Sequence, residues 1–409
     1  MPDALATRHG QLRLPAFLPD ATRAGVRAVS ADDLRAVGVE ALVVSGFHLM
    51  RRPGLRTIRG AGGVHRFMGW DGPIISDSGG FQVYSLIRQN PEYGVIRSNE
   101  VLFRDPDTGK RTRLTPERVI QAQLTLGSDV IVCLDDCTGI DADRDEQARA
   151  VERTVRWARA SREAFDRLTD GVPAAPDPAT GELRRPLLFA VVQGSDDESL
   201  RRDCAAALAE IGFDGYGFGG WPLDESRTLL TDPLRWVADA LPPDAPKHAL
   251  GIGRPDYLVA ALAMGYALFD SALPTRDARH GRLYMWRPGF PERAPRPGDA
   301  FFGTVHILDA RQRSATGPID ERCDCPTCGR YSRAYLHHLF RVGDASAERL
   351  ATLHNLRFYA RLMDALRRST QDRGACAARE SSECTRGNHY APKRASKGSK
   401  FTPHVNPDA

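Results

Sequence analysis

Between residues 40 and 310 the chain repeats one pattern: a short apolar, β-branched run, a polar stretch, and then apolar residues at helical spacing. Helices between successive runs make the runs parallel, because returning to the same edge of a sheet needs a long crossover. The runs fall at 41–45, 73–76, 129–134, 187–192, 215–218, 248–252, 267–269 and 304–308. Helical patterns at 116–126, 146–168, 198–211 and 256–264 lie between them. Eight such units fit an α/β fold of the (β/α)8 TIM barrel type better than an open sheet of five or six strands.

Two regions interrupt the repeat. Residues 87–114, rich in Asn, Glu, Arg and Gly, read as a hairpin excursion, and residues 284–330 bring a Pro-rich stretch followed by a cysteine cluster. After these, Leu350, Leu353, Leu356, Tyr359, Met363 and Leu366 recur at helical spacing and predict a closing helix. Past Thr370 the chain is Ser-, Lys- and Arg-rich with few large apolar groups, the composition of a disordered tail. The expected organisation is a barrel over 1–283 carrying the active site. A last strand, an inserted zinc-binding subdomain and a closing helix follow over 284–369, then a disordered basic tail over 370–409.

An apolar fraction of 42% supplies a substantial core, and a net charge of +4 permits a polyanionic partner without requiring one. No stretch approaches the roughly 18 apolar residues of a membrane span, and residues 1–8 lack an apolar signal core, so the expected location is cytoplasmic. Three of the eight cysteines crowd into six positions, which favours reduced thiols and a metal over disulfides.

That cluster is Cys323-Asp324-Cys325-Pro326-Thr327-Cys328. Three soft thiolates in one turn, with His354 from the closing helix as fourth ligand, make a tetrahedral site for one structural Zn2+ per chain. Four protein ligands leave no open position, so the metal braces the appended segment. His337 and His338 are rival ligands, nearer in sequence.

In a barrel of this kind chemistry sits where the strands finish. Those positions are Asp77-Ser78-Gly79-Gly80-Phe81-Gln82, Asp135-Asp136-Cys137, Gln193-Gly194, Gly219-Gly220, Gly251 and Asp270. Carboxylates accept amino and imino protons, an amide donates and accepts, glycine amides approach a ring edge, and Phe81 offers a stacking face; together they describe a purine pocket. Two carboxylates also suit chemistry at a sugar carbon, one attacking and the other moving a proton on the departing group. Asp270 and Asp77 are the candidates.

These residues resemble a known family, the tRNA-guanine transglycosylases of the bacterial type, also called queuine tRNA-ribosyltransferases. The resemblance runs from about residue 9 to 368. Among its motifs are Arg51-Arg52-Pro53-Gly54, Gly62-Gly63-Val64-His65-Arg66-Phe67-Met68-Gly69-Trp70, Leu126-Gly127-Ser128-Asp129 and Phe213-Asp214-Gly215-Tyr216. Phe269-Asp270-Ser271-Ala272-Leu273-Pro274-Thr275-Arg276 and Tyr331-Ser332-Arg333-Ala334-Tyr335 belong to it too. The resemblance implies a zinc-bearing barrel enzyme, usually a homodimer, that exchanges the wobble guanine of a tRNA anticodon loop for a 7-deazaguanine base in queuosine synthesis. It implies Asp270 as the nucleophile of a covalent ribosyl intermediate and Asp77 as the general acid/base. Asp135, Gln193, Gly220 and the carbonyl of Trp221 match base-recognition positions, Phe81 and Leu250 the groups that sandwich the ring, and Arg276 and Arg279 residues that hold the RNA.

One departure stands out. Where the family usually carries Leu-Ala-Val-Gly-Glu after the paired glycines, this chain has Trp221-Pro222-Leu223-Asp224-Glu225. In the family the following peptide can present either a carbonyl or an N–H to the base substituent, with the counterpart of Glu225 stabilising each orientation. Pro222 has no N–H, so the Trp221–Pro222 peptide offers only an acceptor, and a base bearing an amine, such as 7-aminomethyl-7-deazaguanine, is expected. Two other readings are a paralogous transglycosylase acting on DNA or another nucleoside, and a noncatalytic partner subunit. Arg276 and Arg279 speak for tRNA, and the intact Asp270 speaks against a noncatalytic subunit.

Overall fold

Strands covered on both faces lose the apolar/polar alternation of a surface sheet. Eight such strands build the centre of this chain: β1 (Ala16–Pro19), β2 (Leu42–Ser45), β3 (Ile74–Asp77), β4 (Val130–Val132), β5 (Leu187–Val192), β6 (Gly215–Phe218), β7 (Lys247–Ala249) and β8 (Leu268–Ser271). In the computed structural model, which describes residues 2–105, 109–171, 175–176 and 183–386, they pair in parallel in the order β1-β8-β7-β6-β5-β4-β3-β2. A parallel bridge from Asp20 to Val43, with the Ala21 N–H donating to the Val43 carbonyl at 2.7 Å, joins the end of β1 to β2 and closes the ring. Leu14, Leu18, Ile75, Val130, Val132, Phe189, Val191 and Leu268 fill the interior.

The outer layer follows from its caps. Helices α1 (Pro116–Leu126), α2 (Arg144–Thr169) and α3 (Glu198–Ile211) begin after Thr115, Asp143 and Asp197, whose side chains accept from the N–H groups of Arg118, Glu146 and Leu200. Each such cap is worth about 1 kcal/mol. Further round lie α4 (Thr231–Ala240), α5 (Pro255–Ala263) and α6 (Leu273–Arg279). The excursion after β3 is a three-stranded antiparallel sheet, Gly94–Ile96, Val101–Arg104 and Arg111–Leu114.

The hairpin Ala4–Thr7/Gly10–Arg13 adds Leu5 and Leu12 to the interior cluster. Its turn residue His9 stacks on His65 with centroids 3.5 Å apart, and both reach Asp129, His9 Nδ1 at 2.8 Å and His65 Nε2 at 3.1 Å. Burial alone would raise the Asp129 carboxyl, but the bonds and charges of His65 and His9 outweigh it and hold the group below the usual carboxylate range. This bolt precedes β4, at the amino ends of the strands, where barrels carry stability and not chemistry.

Two expectations are corrected. The run at 304–308 is not a barrel strand: Phe302–His306 pairs antiparallel with Arg282–Trp286 in a hairpin of the appended segment, so the block from 284 holds no last barrel strand. The eighth position belongs to β1, whose four residues, Ala16 to Pro19, are all buried. The second correction concerns the tail. The closing helix runs Ala345–Arg386, so residues 370–386 are helical where disorder was expected, while 387–409 lie outside the described residues. Residues 1–367 form one compact unit. Among the described residues no helix is long and apolar enough to cross a membrane.

Candidate active site

Side chains two apart on a strand share a face, so the row that fills the barrel also supplies its rim. Ile75 and Asp77, Val191 and Gln193, and His248 and Leu250 line one cavity of about 580 Å³ at the carboxyl ends of the strands. Asp270, two past the interior residue Leu268, joins them. Of the residues singled out in the sequence, Asp77, Phe81, Asp135, Gln193, Gly220, Trp221, Leu250, Asp270 and Arg276 all line this cavity; Arg279 does not. A larger groove of about 670 Å³ runs along Arg51, Arg56, Phe103 and Arg118. Among the described residues its only carboxylate is Asp105, which pairs with Arg51.

The two candidate carboxylates sit in different settings. Asp77 Oδ1 accepts from the Ser45 hydroxyl at 3.0 Å and the Gly46 N–H at 3.1 Å, and Oδ2 from Gln82 Nε2 at 3.4 Å. Desolvation is the largest influence, and with the nearby charges of Asp20 and Asp270 it pushes this carboxyl up to about 7 against those hydrogen bonds. A carboxyl so tuned can give and take a proton near neutrality. Asp270 Oδ1 instead accepts from His248 Nε2 at 2.8 Å and the Gly251 N–H at 3.1 Å.

Beside them lies a buried polar edge. Gln193 Nε2 donates to Asp135 Oδ2 at 2.6 Å and the Ser78 hydroxyl to Asp135 Oδ1 at 3.2 Å. Burial raises Asp135 to about 6 despite these bonds. The approach is close enough to demand glycine: a Cβ on Gly80 would lie 2.1 Å from Asp135 Oδ1, and one on Gly219 2.5 Å from Gln193 Nε2. Asp136 turns away, to Arg88 and Arg153. Behind the edge, fully buried Arg201 on α3 donates to the carbonyls of Val192 (2.8 Å), Ser195 (2.8 Å) and Gly219 (2.9 Å), tying the ends of β5 and β6 together.

Phe81, 51% exposed, meets Trp221 and Tyr84 with centroids 5.6 and 6.0 Å away, and Tyr84 and Trp221 meet at 5.7 Å. The Trp221 indole N–H donates to the Thr138 carbonyl at 3.1 Å, which fixes this wall of the cavity. In the next turn Asp224 accepts from Thr228 N at 2.8 Å and Ser226 Oγ at 2.7 Å, while Glu225 is exposed and makes no hydrogen bond or ion pair among the described residues. Arg276 is exposed at the rim. Arg279 is half-buried; burial first, then the charges of Arg27 and Arg276 against that of Glu348, lower its proton affinity.

Sequence reasoning named Gln82 among the strand-end positions without giving it a role, and it missed His248, Arg201 and Tyr84. Only His248 left a signal, its period-two spacing from Leu250.

The second constellation is buried in the appended segment. The ligand atoms of Cys323, Cys325, Cys328 and His354 all lie within 4.8 Å of one another, an arrangement that can hold a metal ion. His354 Nδ1 is 3.3 Å from Cys328 Sγ and 3.7 Å from Cys325 Sγ. Its Nε2 lies 2.6 Å from the Tyr284 carbonyl, which can only accept, so Nε2 carries the hydrogen and Nδ1 is left as the ligand. The rival His337 is not among the four clustered residues; its Nδ1 faces the Ile307 carbonyl at 2.8 Å.

Most of the chain is similar to known proteins. The family model described as queuine tRNA-ribosyltransferase matches residues 3–381. A queuine tRNA-ribosyltransferase of Novosphingobium aromaticivorans is 41% identical over 367 residues, covering 89% of each chain. One from Ruegeria sp. (strain TM1040) is 38% identical over 365 residues, 89% of this chain and 88% of the relative. One from Zymomonas mobilis is 38% identical over 367 residues, 89% of this chain and 87% of the relative. With its barrel, its paired carboxylates and its thiolate cluster all inside the matched span, the chain belongs to the queuine tRNA-ribosyltransferase family.

Proposed function

We propose that this chain exchanges the wobble guanine of a tRNA anticodon for a 7-deazaguanine base through a covalent ribosyl-Asp270 intermediate. The observation that carries the reading is the pairing of Asp270 with Asp77, a carboxyl raised to about 7, in one cavity. Asp270 forms a bond to the ribose carbon while the bond to guanine breaks, and its electron pair leaves with the base. Asp77 supplies the proton the leaving base needs and recovers one from the incoming base, which attacks the same carbon and releases Asp270. Asp135, Gln193 and the Gly220 region read the polar edge of whichever base is present, and Phe81 and Leu250 flank its faces. Arg276, with Arg279 and Arg27 behind it, meets the RNA phosphates, as cations beside a site for a splayed-out nucleotide should.

The incoming base carries an amine. Pro222 denies the loop an N–H, and the Trp221 carbonyl is left without a hydrogen-bond partner among the described residues. Glu225, exposed, stabilises no alternative orientation of that peptide. Aminomethyl-deazaguanine supplies the donor that this carbonyl lacks.

Cys323, Cys325, Cys328 and His354 hold zinc. A zinc held tetrahedrally by these thiolates and the imidazole would need S···N separations of about 3.6 Å, a value that lies between the observed 3.3 and 3.7 Å. The closed ligand set supplies structure and no reaction step. The functional test is incubation with labelled guanine and either anticodon stem-loop RNA or duplex DNA. Label entering RNA alone supports the tRNA reading, and label entering DNA alone overturns it.

A further inference from the structure

The attacking carboxylate is gripped by an imidazole. His248 on β7 is 1% exposed, and its Nε2 lies 2.8 Å from Asp270 Oδ1. The Gly251 N–H reaches the same oxygen at 3.1 Å. Asp270 Oδ2 has no hydrogen-bond partner among the described residues, although the carboxylate is only 18% exposed. One oxygen is therefore doubly held and the other is left with its lone pairs free.

The asymmetry matters because the last torsion of an aspartate is broad and roughly two-fold. Without an anchor the carboxylate turns and presents either oxygen over a range of angles, and attack on carbon tolerates little misplacement. A single backbone N–H fixes a point; a second donor from a neighbouring strand fixes the plane. His248 can be that donor because β7 and β8 are hydrogen-bonded neighbours, with His248 opposite Leu268 and Asp270 two residues further along the same inward row. Its ring is immobilised by burial, so the donor is preorganised before RNA arrives.

We propose that His248 is a positioning residue for the exchange reaction: through Nε2–H it fixes Oδ1 of Asp270 and so leaves Oδ2 to attack the ribose carbon. The inference rests on the reading of Asp270 as nucleophile. In the step it serves, Oδ2 bonds to the ribose carbon, the carbon–nitrogen bond to guanine breaks with its electron pair going to the base, and Asp77 gives that base a proton. In the return step the ester bond breaks and its electron pair goes back to Oδ2. His248 neither gains nor loses a proton in either step.

A purely architectural histidine would change stability and leave the chemistry of folded enzyme alone, so the test separates the two. The full-length protein is compared with His248→Phe, which removes the donor, His248→Gln, which keeps an N–H at similar reach, and Asp270→Ala. Steady-state exchange of labelled guanine into anticodon stem-loop RNA gives kcat and KM, and denaturing gels of quenched reactions report the covalent RNA adduct. The expected loss in His248→Phe is about 10- to 100-fold in kcat, with adduct formation slowed to match. Its KM for RNA should stay within about twofold, since the lost contact acts on the chemical step. His248→Gln should recover most of the lost rate. If His248→Phe does not fold, judged by thermal melting, His248→Asn replaces it, because the shorter amide cannot reach Oδ1. Wild-type kcat in the Phe or Asn variant overturns the proposal, as does a Gln variant as slow as Phe. Exchange by Asp270→Ala would overturn the nucleophile reading itself, whereas an inert Asp270→Ala beside an unimpaired His248→Phe removes only the positioning role.

Discussion

Gln193 Nε2 donates to Asp135 Oδ2 at 2.6 Å, and that contact decides which end of the amide is left for a ligand. With Nε2 committed to the carboxylate, Oε1 remains an acceptor, and Asp135 is an acceptor at both oxygens only while ionised. Both then face a base with ring and exocyclic N–H donors. Burial raises Asp135 to about 6, so acid reaches this recognition edge before it reaches ordinary carboxylates. The KM for guanine should rise as pH falls through about 6, and Asp135→Asn should raise it about 10- to 100-fold, the worth of a charged hydrogen bond. Guanine KM measured from pH 5 to 8 checks this; a flat profile contradicts it.

Asp77 titrates in the opposite functional sense. It is useful to the departing guanine while protonated, and burial with the charges of Asp20 and Asp270 carries it to about 7. Single-turnover guanine release should therefore fall as pH rises through about 7, approaching about tenfold per unit, and Asp77→Asn should slow it by about 10²–10⁴. The linkage has a sign as well. A carboxyl whose folded value is raised holds its proton more tightly in the native state, so its contribution to stability is lost as pH rises through that value. At pH 8 Asp77→Asn should melt higher than wild type, by about 2 °C. Release that is independent of pH between 6 and 9 contradicts the assignment.

The metal cluster should behave as a brace. Elemental analysis is expected to find one zinc per chain, and Cys328→Ser or prolonged chelation should lower the melting temperature by more than about 5 °C, because binding free energy at such sites is folding free energy. Lost exchange activity should track lost folded protein. A chelated enzyme with unchanged melting contradicts the role.

Trp221-Pro222 should show in the choice of base. The aminomethyl base is expected to be incorporated at least about tenfold faster than the nitrile, equivalent to about 1.4 kcal/mol, and replacing Pro222 by Ala should narrow that gap. Equal rates for the two bases, measured by competition, contradict it.

The barrel was legible because its repeat is dictated by burial on both faces, and seven of its strands announce themselves as apolar runs. The eighth did not, since Leu14-Pro15 and Pro19 bracket β1 with residues that read as breakers, and a four-residue run carries little periodicity. The run at 304–308 misled for the converse reason: β-branched and apolar residues suit a half-buried hairpin as well as a barrel strand. Past Thr370 the scarcity of apolar residues argued against a core, yet Gln371 to Arg386 is rich in Ala, Arg and Glu, strong helix formers that prolong an existing helix without one. At the site, strand-end carboxylates and glycines stood out because their polarity breaks an apolar row. Arg201 did not, since a charge on a helix reads as surface until three carbonyls are seen around it. His248 left only its period-two spacing from Leu250, and what it touches is set by the neighbouring strand.

Attack of Asp270 on the ribose carbon leaves a covalent adduct that a quenched reaction can trap. Wild-type protein mixed with labelled anticodon stem-loop RNA and no free base should yield a band stable to denaturant that joins protein and RNA, maps to Asp270, and is chased by added guanine or the aminomethyl base. Asp270→Ala should give no band and no exchange. A band that survives the substitution, or undiminished exchange by Asp270→Ala, would contradict the account.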